Sequence, residues 1–272
     1  MNNRKLGLIA GGGMLPFEII THCQKTQREV FVVGLESFVT QEYLDSVPHI
    51  YAKLGEVGKI LKAMKKNEVS EVVLAGWIKR PTLKDLIPDW EGAKLMAKLA
   101  MNKMTDDSLF RVVMNEIEKR GFKVVGAEDV VPEMLFSEGV YGKIKPSADD
   151  MQDIERGIVV AKAIGAVDVG QAAVVQQGMV LAVEAMEGTD MMLSRADTIR
   201  KKGKAPVLVK IVKPGQDRRV DMPVIGVQTI EQLNKYNIAG IAVEAGGILL
   251  IERDAVIELA NRTGKFIIGM KV

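Results

Sequence analysis

An apolar run that ends in three consecutive glycines and then a proline, KLGLIAGGGMLPFEII over residues 5–20, constrains this chain more than any other feature. Glycine adopts backbone conformations closed to other residues. Proline is tolerated in the first turn of a helix, where its missing N–H has no partner to lose. The stretch therefore predicts a strand over 6–10, a tight turn at Gly11, Gly12 and Gly13, and a helix from about residue 15. Such a turn aims backbone N–H groups and the positive end of a helix at one point, which suits a phosphate. A dinucleotide turn carries glycines at its first, third and sixth places. Gly11 and Gly13 fill the first two, Pro16 stands at the last, and Glu36 lies where a ribose-binding acid is sought. The match is half complete, so a dinucleotide site, a plain anion-binding turn and a purely structural turn all stay open.

The alternation continues through the first half. Further strands are expected at 29–34, 69–75 and 122–125, with helices at 15–25, 56–66, 91–101 and 107–120. Strands alternating with helices argue for βαβ units and a parallel sheet covered on both faces. Residues 127–150, with two prolines and two glycines, break the rhythm and read as a crossover or linker. A second unit follows in a different order. Ser147 with Asp150 three positions on forms a capping-box signature for a helix. Residues 172–185 read as two strands around a turn at Gln177-Gly178. Strands are expected at 207–212, 241–243 and 248–251, and helices at 228–236 and 253–262.

Composition excludes several classes of function. With 37 basic and 35 acidic residues the net charge is +2, which gives no electrostatic footprint for nucleic acid. The single Cys23 rules out an internal disulfide and fits a reducing compartment. No stretch approaches the roughly 18 consecutive apolar residues of a membrane span. The run at 6–10 is too short for a signal-peptide core and enters a glycine turn. A cytoplasmic location is expected, and peripheral contact with a membrane stays open because it needs no spanning helix.

Residues suited to chemistry gather in two mixed-charge runs, each after an apolar strand. VEAMEGTDMMLSRAD (183–197) holds Glu184, Glu187, Asp190 and Arg195; KPGQDRRVDMPVIG (213–226) holds Asp217, Arg218, Arg219 and Asp221. One such run is ordinarily a solvated loop; two at strand exits point to a site. Carboxylates with Arg and Lys, and no His or Cys nearby, suit an oxygen-ligated Mg²⁺ and a phosphate. His22 falls in a helical pattern and His49 beside Pro48 in a loop, so neither a His-based zinc site nor a Ser-His-Asp triad is supported. In the first half, AGWIKRP (75–81) sets Lys79 and Arg80 past the carboxyl end of a strand, where open α/β sheets bind ligands. Asp106 and Asp107 in MTDDSLFR (104–111) serve equally as a helix cap with its dipole complement or as a catalytic pair.

Taken in order, GLIAGGGMLP, AGWIKRP, TDDSLFR, DVGQAAVVQQGMVLAVEAMEGTD and LVKIVKPGQDRRVDMPVIG resemble the LpxI type of UDP-2,3-diacylglucosamine pyrophosphatase, a family of lipid A biosynthesis. The pieces span nearly the whole chain; Thr105 departs from the glycine found at that place in the family. The resemblance implies an α/β protein with a Rossmann-like N-terminal domain over 1–132 and a C-terminal α/β domain of less usual topology over 133–272, which carries most of the candidate carboxylates. It implies hydrolysis of the pyrophosphate of UDP-2,3-diacylglucosamine to UMP and 2,3-diacylglucosamine 1-phosphate (lipid X), with Mg²⁺ or Mn²⁺ required. A bound metal polarises a phosphoryl oxygen and activates water. On this reading the catalytic candidates are Asp221, Glu184, Glu187 and Asp190, with Asp221, Glu187 and Asp190 as metal ligands. Substrate contacts would come from Gly11, Gly12, Gly13, Lys79, Arg80, Asp106, Asp107, Arg195, Lys210, Asp217, Arg218 and Arg219. Expected partners are the lipid substrate and product, the inner-membrane surface reached through them and a second copy of the chain, with no nucleic acid. The competing readings are a nicotinamide-dependent oxidoreductase, resting on the half-matched turn, and a ligand-binding relative without turnover.

Overall fold

The computed structural model describes residues 4–78, 87–100, 106–215, 217–219 and 222–272. The chain divides into two compact units, Met1–Pro132 with Asp217–Asp221, and Glu133–Gln216 with Met222–Val272. The sequence reading assigns 217–221 to the second domain; this segment groups with the first unit.

The first unit alternates strands and helices: β1 (Leu6–Ala10), α1 (Leu15–Lys25), β2 (Val30–Leu35), β3 (His49–Ala52), α2 (Val57–Lys66), β4 (Glu71–Ala75), α3 (Trp90–Ala100), α4 (Asp106–Lys119), β5 (Lys123–Val124) and the short α5 (Ala127–Val130). Five parallel strands lie in the order β3-β2-β1-β4-β5. Strands such as VFVVGL are apolar without alternation because both faces are covered. Phe31, Val33 and Val72 pack with Ile60, Leu61 and Met64 of α2 and Met114 and Ile117 of α4. Leu8, Val32 and Val73, one residue out of phase, are equally buried on the other face. His49 is not in a loop: it opens β3, which the sequence reading misses. The strand is four residues long and follows Pro48, whose carbonyl accepts the Val32 N–H at 3.0 Å.

The second unit contains β6 (Gly139–Tyr141), α6 (Ala148–Ala166), β7 (Ala172–Gln176), β8 (Met179–Val183), α7 (Gly188–Ile199), β9 (Val207–Lys210), β10 (Val224–Ile225), α8 (Val227–Lys235), β11 (Gly240–Glu244), β12 (Leu249–Leu250), α9 (Arg253–Thr263) and β13 (Phe266–Met270). A mixed sheet runs β6-β13-β11-β9-β7-β8. Its centre, β9, β11 and β13, is parallel, while β6 and β7 run antiparallel to β13 and β9. Strands β10 and β12 form a separate parallel pair. Val207, Val209, Ala242 and Phe266 face Ile154 and Ala161 of α6. The alternate residues Leu208, Ile241, Val243 and Ile267 face α7, α8 and α9 through Leu193, Ile230 and Val256.

Two expectations fail here. The stretch 127–150 is more than a linker, since it holds α5 and the edge strand β6. The charged run at 183–197 is mostly helix, α7, whose Met192, Leu193 and Ala196 are buried. Other signals are met. Ser147 caps α6 with the reciprocal bond to Asp150. Gln177 and Gly178, at φ 51° and 78°, form the left-handed turn of the β7–β8 hairpin. Asp153, buried on α6, accepts both their N–H groups at 2.8 and 2.6 Å.

Candidate functional site

In an open parallel sheet the ligand crevice lies at the carboxyl ends of the strands where the strand order reverses, here β1 and β4. The glycine turn after β1 reaches that point, and it is already engaged. The Gly11 N–H donates to the Ala75 carbonyl at 2.8 Å, and the Gly12 N–H to the Trp77 carbonyl at 2.9 Å. Trp77 returns its own N–H to the Gly12 carbonyl at 3.0 Å, closing a small antiparallel bridge. A side chain at Gly12 would meet the Trp77 ring at 2.6 Å, and one at Gly11 the Trp77 carbonyl at 2.8 Å. Only Gly13 is exposed, at φ +88°. The first two glycines thus let two chain segments touch, and their protons are not free for an anion. Pro16, buried on α1, abuts Gly76, where an added Cβ would lie 3.0 Å from its ring. Two of the three glycine N–H groups that a dinucleotide's phosphates would use are thus taken up by Ala75 and Trp77, which weakens the main support for the nicotinamide reading.

Lys79, Arg80 and Asp221 lie outside the described residues. Asp106 and Asp107 are the first two residues of α4. The segment carrying Asp217 and Arg219 is internally paired. Arg219 grips Asp217 through Nε–Oδ1 at 2.9 Å and Nη2–Oδ2 at 2.7 Å, and its Nη1 reaches Glu118 Oε1 at 3.0 Å. The guanidinium bonds hold the Asp217 carboxyl below its ordinary range. Arg219 is therefore committed to two carboxylates and not left as a phosphate clamp. Arg218 adds positive charge near Glu128, a residue the sequence reading omits. Burial pushes the Glu128 carboxyl up, and its Oε2 is buried without a hydrogen-bond partner.

The second unit gathers more of the candidates. Glu184, just beyond β8, is buried. It accepts the Thr189 hydroxyl proton at Oε1 and the Gln171 N–H at Oε2, the latter at 3.2 Å. Lys210, the last residue of β9, donates from Nζ to Thr189 Oγ1 at 3.1 Å. A continuous chain, Lys210 to Thr189 to Glu184, results. Glu187 and Arg195 pair with each other at 2.6 Å, and Arg195 also donates to the Val183 carbonyl at 2.9 Å. The Glu187 carboxyl is held low, first by its own backbone N–H and then by Arg195. Asp190, in the first turn of α7, is exposed.

Beside this chain lies a cavity of about 180 Å³. Thr189 and Asp190 from α7, Lys210 from β9, and Gln228, Thr229 and Gln232 from α8 line it, over apolar residues of α7, β9 and β10. The first turns of both helices face it, and α8 carries no acidic residue in its own. Of the candidates in this unit, Asp190 and Lys210 line the cavity, whereas Glu184, Glu187 and Arg195 are engaged within the protein. Thr189 stands inside the charged run, hidden by its more conspicuous neighbours. Gln228, Thr229 and Gln232 carry no signal in the sequence beyond that of the solvated face of an amphipathic helix.

The expected metal ligands do not come together among the described residues: no three His, Cys, Asp or Glu side chains converge on one point. Glu187 is tied to Arg195, and Asp221 falls outside. Among the described residues no helix is long and apolar enough to cross a membrane.

Fold and site together define a two-unit α/β protein, Rossmann-like in the strand order of its first half, and with an amide-lined cavity bearing Lys210 and Asp190 in its second. The chain belongs to the LpxI family. Residues 5–134 match the LpxI N-terminal domain and residues 137–268 the LpxI C-terminal domain. It is 43% identical over 274 residues to the UDP-2,3-diacylglucosamine pyrophosphatase LpxI of Caulobacter vibrioides, covering 98% of each chain. Among solved structures, it aligns with the NAD complex of the UDP-glucose 4-epimerase of Thermus thermophilus at 14% identity over 52% of this chain and 40% of that one, with a TM-score of 0.30. With CobK precorrin-6A reductase the figures are 12%, 99%, 89% and 0.27.

Proposed function

We propose that this chain hydrolyses the pyrophosphate of UDP-2,3-diacylglucosamine, giving UMP and 2,3-diacylglucosamine 1-phosphate. The observation that carries the reading is the end-to-end relationship to an enzyme of that name at 43% identity. In the reaction, water adds to one phosphorus of the anhydride and the bridging oxygen leaves with the other. A residue set for this must neutralise charge, orient the diphosphate and accept a proton from water.

Lys210 is suited to the first task, because its ammonium carries charge at the cavity while Thr189 fixes it from one side. Glu184 anchors Thr189 from below, so that the lysine is held in a defined direction. Asp190 is the described carboxylate at the cavity available to take a proton, and Asp221 is the further candidate in the same role. Mg²⁺ or Mn²⁺ remains part of the proposal, as the ion that would polarise a phosphoryl oxygen; the described residues do not assemble its ligands, and no step is derived through it. Exposed Trp77, Ile78, Ile87, Trp90 and Met96 of the first unit support transient contact with the cytoplasmic face of the inner membrane, since tryptophan favours the lipid–water boundary.

The test is release of UMP from UDP-2,3-diacylglucosamine in detergent, with and without exhaustive chelation. Turnover that chelation abolishes and Mg²⁺ or Mn²⁺ restores is expected. No turnover under any condition refutes the assignment, and full turnover after chelation refutes the metal.

A further inference from the structure

We infer that Glu128 is a positioning residue for the proposed hydrolysis, acting through the chain segment Asp217–Arg219. The inference rests on the activity proposed above; it adds a residue that belongs neither to the two charged runs nor to the cavity, and a way in which it acts.

Glu128 is the second residue of α5, the single turn that follows the edge strand β5 at the carboxyl end of the first unit's sheet. Its side chain folds back over Gly126. A Cβ on that glycine would meet Glu128 Cδ at 2.6 Å and Oε1 at 2.8 Å. Gly126 has φ −75° and ψ 160°, ordinary extended backbone, so the seat of the carboxyl and not the backbone demands glycine there. Capping does not account for the inward turn either. The Gly126 N–H donates to Asp129 Oδ2 at 3.1 Å, so the start of α5 is already served. Glu128 Oε2 is left closed off from solvent and without a hydrogen-bond partner. A buried polar atom in that state is destabilising, so the fold keeps it for another reason.

The charges that bear on the carboxyl supply that reason. Asp217 and Arg218 act on it from the segment that groups with the first unit, and Asp129 from α5 itself. β4, packed against α5, carries one ionisable residue, Glu71, which is paired with Arg28 at 2.7 Å. Glu118 of α4 holds the same segment through Arg219 at 3.0 Å. The segment thus answers to two glutamates of the first unit, one for each arginine. Burial is the largest influence on Glu128 and lifts its carboxyl above the ordinary value; its own N–H opposes, Asp129 adds, Arg218 opposes and Asp217 adds. In the neutral form Glu128 fills its seat without repelling Asp217. Ionised, it would repel Asp217 and draw the charge of Arg218 toward itself and away from a diphosphate. The neutral carboxyl is therefore the form that keeps the segment set for an anionic substrate, and that setting is lost as pH rises through the folded value.

The experiment follows hydrolysis of UDP-2,3-diacylglucosamine as a function of pH for wild type, Glu128→Gln and Glu128→Ala. Glu128→Gln, of the same shape and neutral throughout, should match wild type on the acidic side and keep its plateau of kcat/KM to higher pH. Glu128→Ala, which empties the seat, should lower kcat/KM about tenfold or more. Trypsin gives a readout independent of turnover, since it cuts after Arg218 and Arg219. Cleavage there should be about tenfold faster in Glu128→Ala, and no faster than wild type in Glu128→Gln, because cutting follows the population of the released segment. Should Glu128→Ala fail to fold, as judged by its melting curve, the comparison of Glu128→Gln with wild type decides alone. A Glu128→Gln whose pH profile coincides with that of wild type, or a folded Glu128→Ala with wild-type kcat/KM and cleavage, overturns the inference and leaves the proposed activity standing. Absence of turnover in the wild type refutes the activity itself, and the cleavage rates then decide whether Glu128 sets the segment.

Discussion

Replacing Thr189 with valine tests the chain Lys210–Thr189–Glu184 almost without changing volume. The hydroxyl donates to a carboxylate that is only 7% exposed and accepts from an ammonium at 3.1 Å. Hydrogen bonds to charged groups contribute about 1.5–3 kcal/mol each when buried. The partly exposed lysine end contributes less, about 0–1 kcal/mol. Since valine refills the space, a loss of about 1.5–4 kcal/mol is expected for Thr189→Val, the sum of those two contributions. The two tryptophans, Trp77 and Trp90, both lie in the first unit. In urea titrations, circular dichroism follows the whole chain and tryptophan fluorescence the first unit alone. The dichroism transition of Thr189→Val should move to lower urea, with fluorescence following only if the units unfold together. Glu184→Gln and the double variant complete a cycle, in which a coupling of about 1.5 kcal/mol or more is expected for residues in one network. A single-variant loss below about 0.5 kcal/mol, or a coupling near zero, would refute the chain as drawn, since a buried carboxylate deprived of its donor cannot be indifferent to it.

Glu128→Gln should raise stability at neutral pH. Burial elevates the folded-state pKa of Glu128, so the folded form resists its ionisation; the penalty is absent below the unfolded value of about 4.3 and grows as pH rises through the folded one. The gain must therefore vanish near pH 4, and a gain independent of pH contradicts the assignment. Gly12→Ala forces a methyl against the Trp77 ring at 2.6 Å, and overpacking of this kind costs about 1–3 kcal/mol; an unchanged melting temperature and unchanged tryptophan emission would count against the bridge. Asp221→Asn is expected to lower kcat by about 10²-fold or more with KM nearly unchanged, as for loss of a proton-transferring group; wild-type kcat with a lowered melting temperature would return Asp221 to the scaffold.

Much of the first unit was legible because its strands are continuous apolar runs set between helical periods. β3 escaped because HIYA is four residues long beside a proline. In the second unit, α7 was obscured by its own charges, although Met192, Leu193 and Ala196 already mark a buried stripe at helical spacing. β13, the short apolar run FIIGM, was missed even though Gly264, the left-handed C-cap of α9, already separates it from that helix. The site was legible only as a set of residue types. Sequence brought Asp190 and Lys210 into view but could not tell them from Glu187 and Arg195, which neutralise each other. Nor could it reveal that the glycine protons are taken by Ala75 and Trp77, because that pairing joins segments more than sixty residues apart.

The excursion of the chain at Asp217–Asp221 has a consequence for anyone dissecting the gene. Cutting after Pro132 looks like the natural way to obtain two independent modules, and it yields neither intact. A fragment ending there lacks Arg219, so Glu118 loses the cation it holds at 3.0 Å. A fragment beginning there carries Asp217 and Arg219 as an orphaned pair without that neighbour. The same stitch orders synthesis on the ribosome. The first unit emerges early and can form its sheet, but it receives its last piece only when most of the second has been made. Completion of the first half thus reports that the chain has been translated at least as far as the segment bearing Asp217.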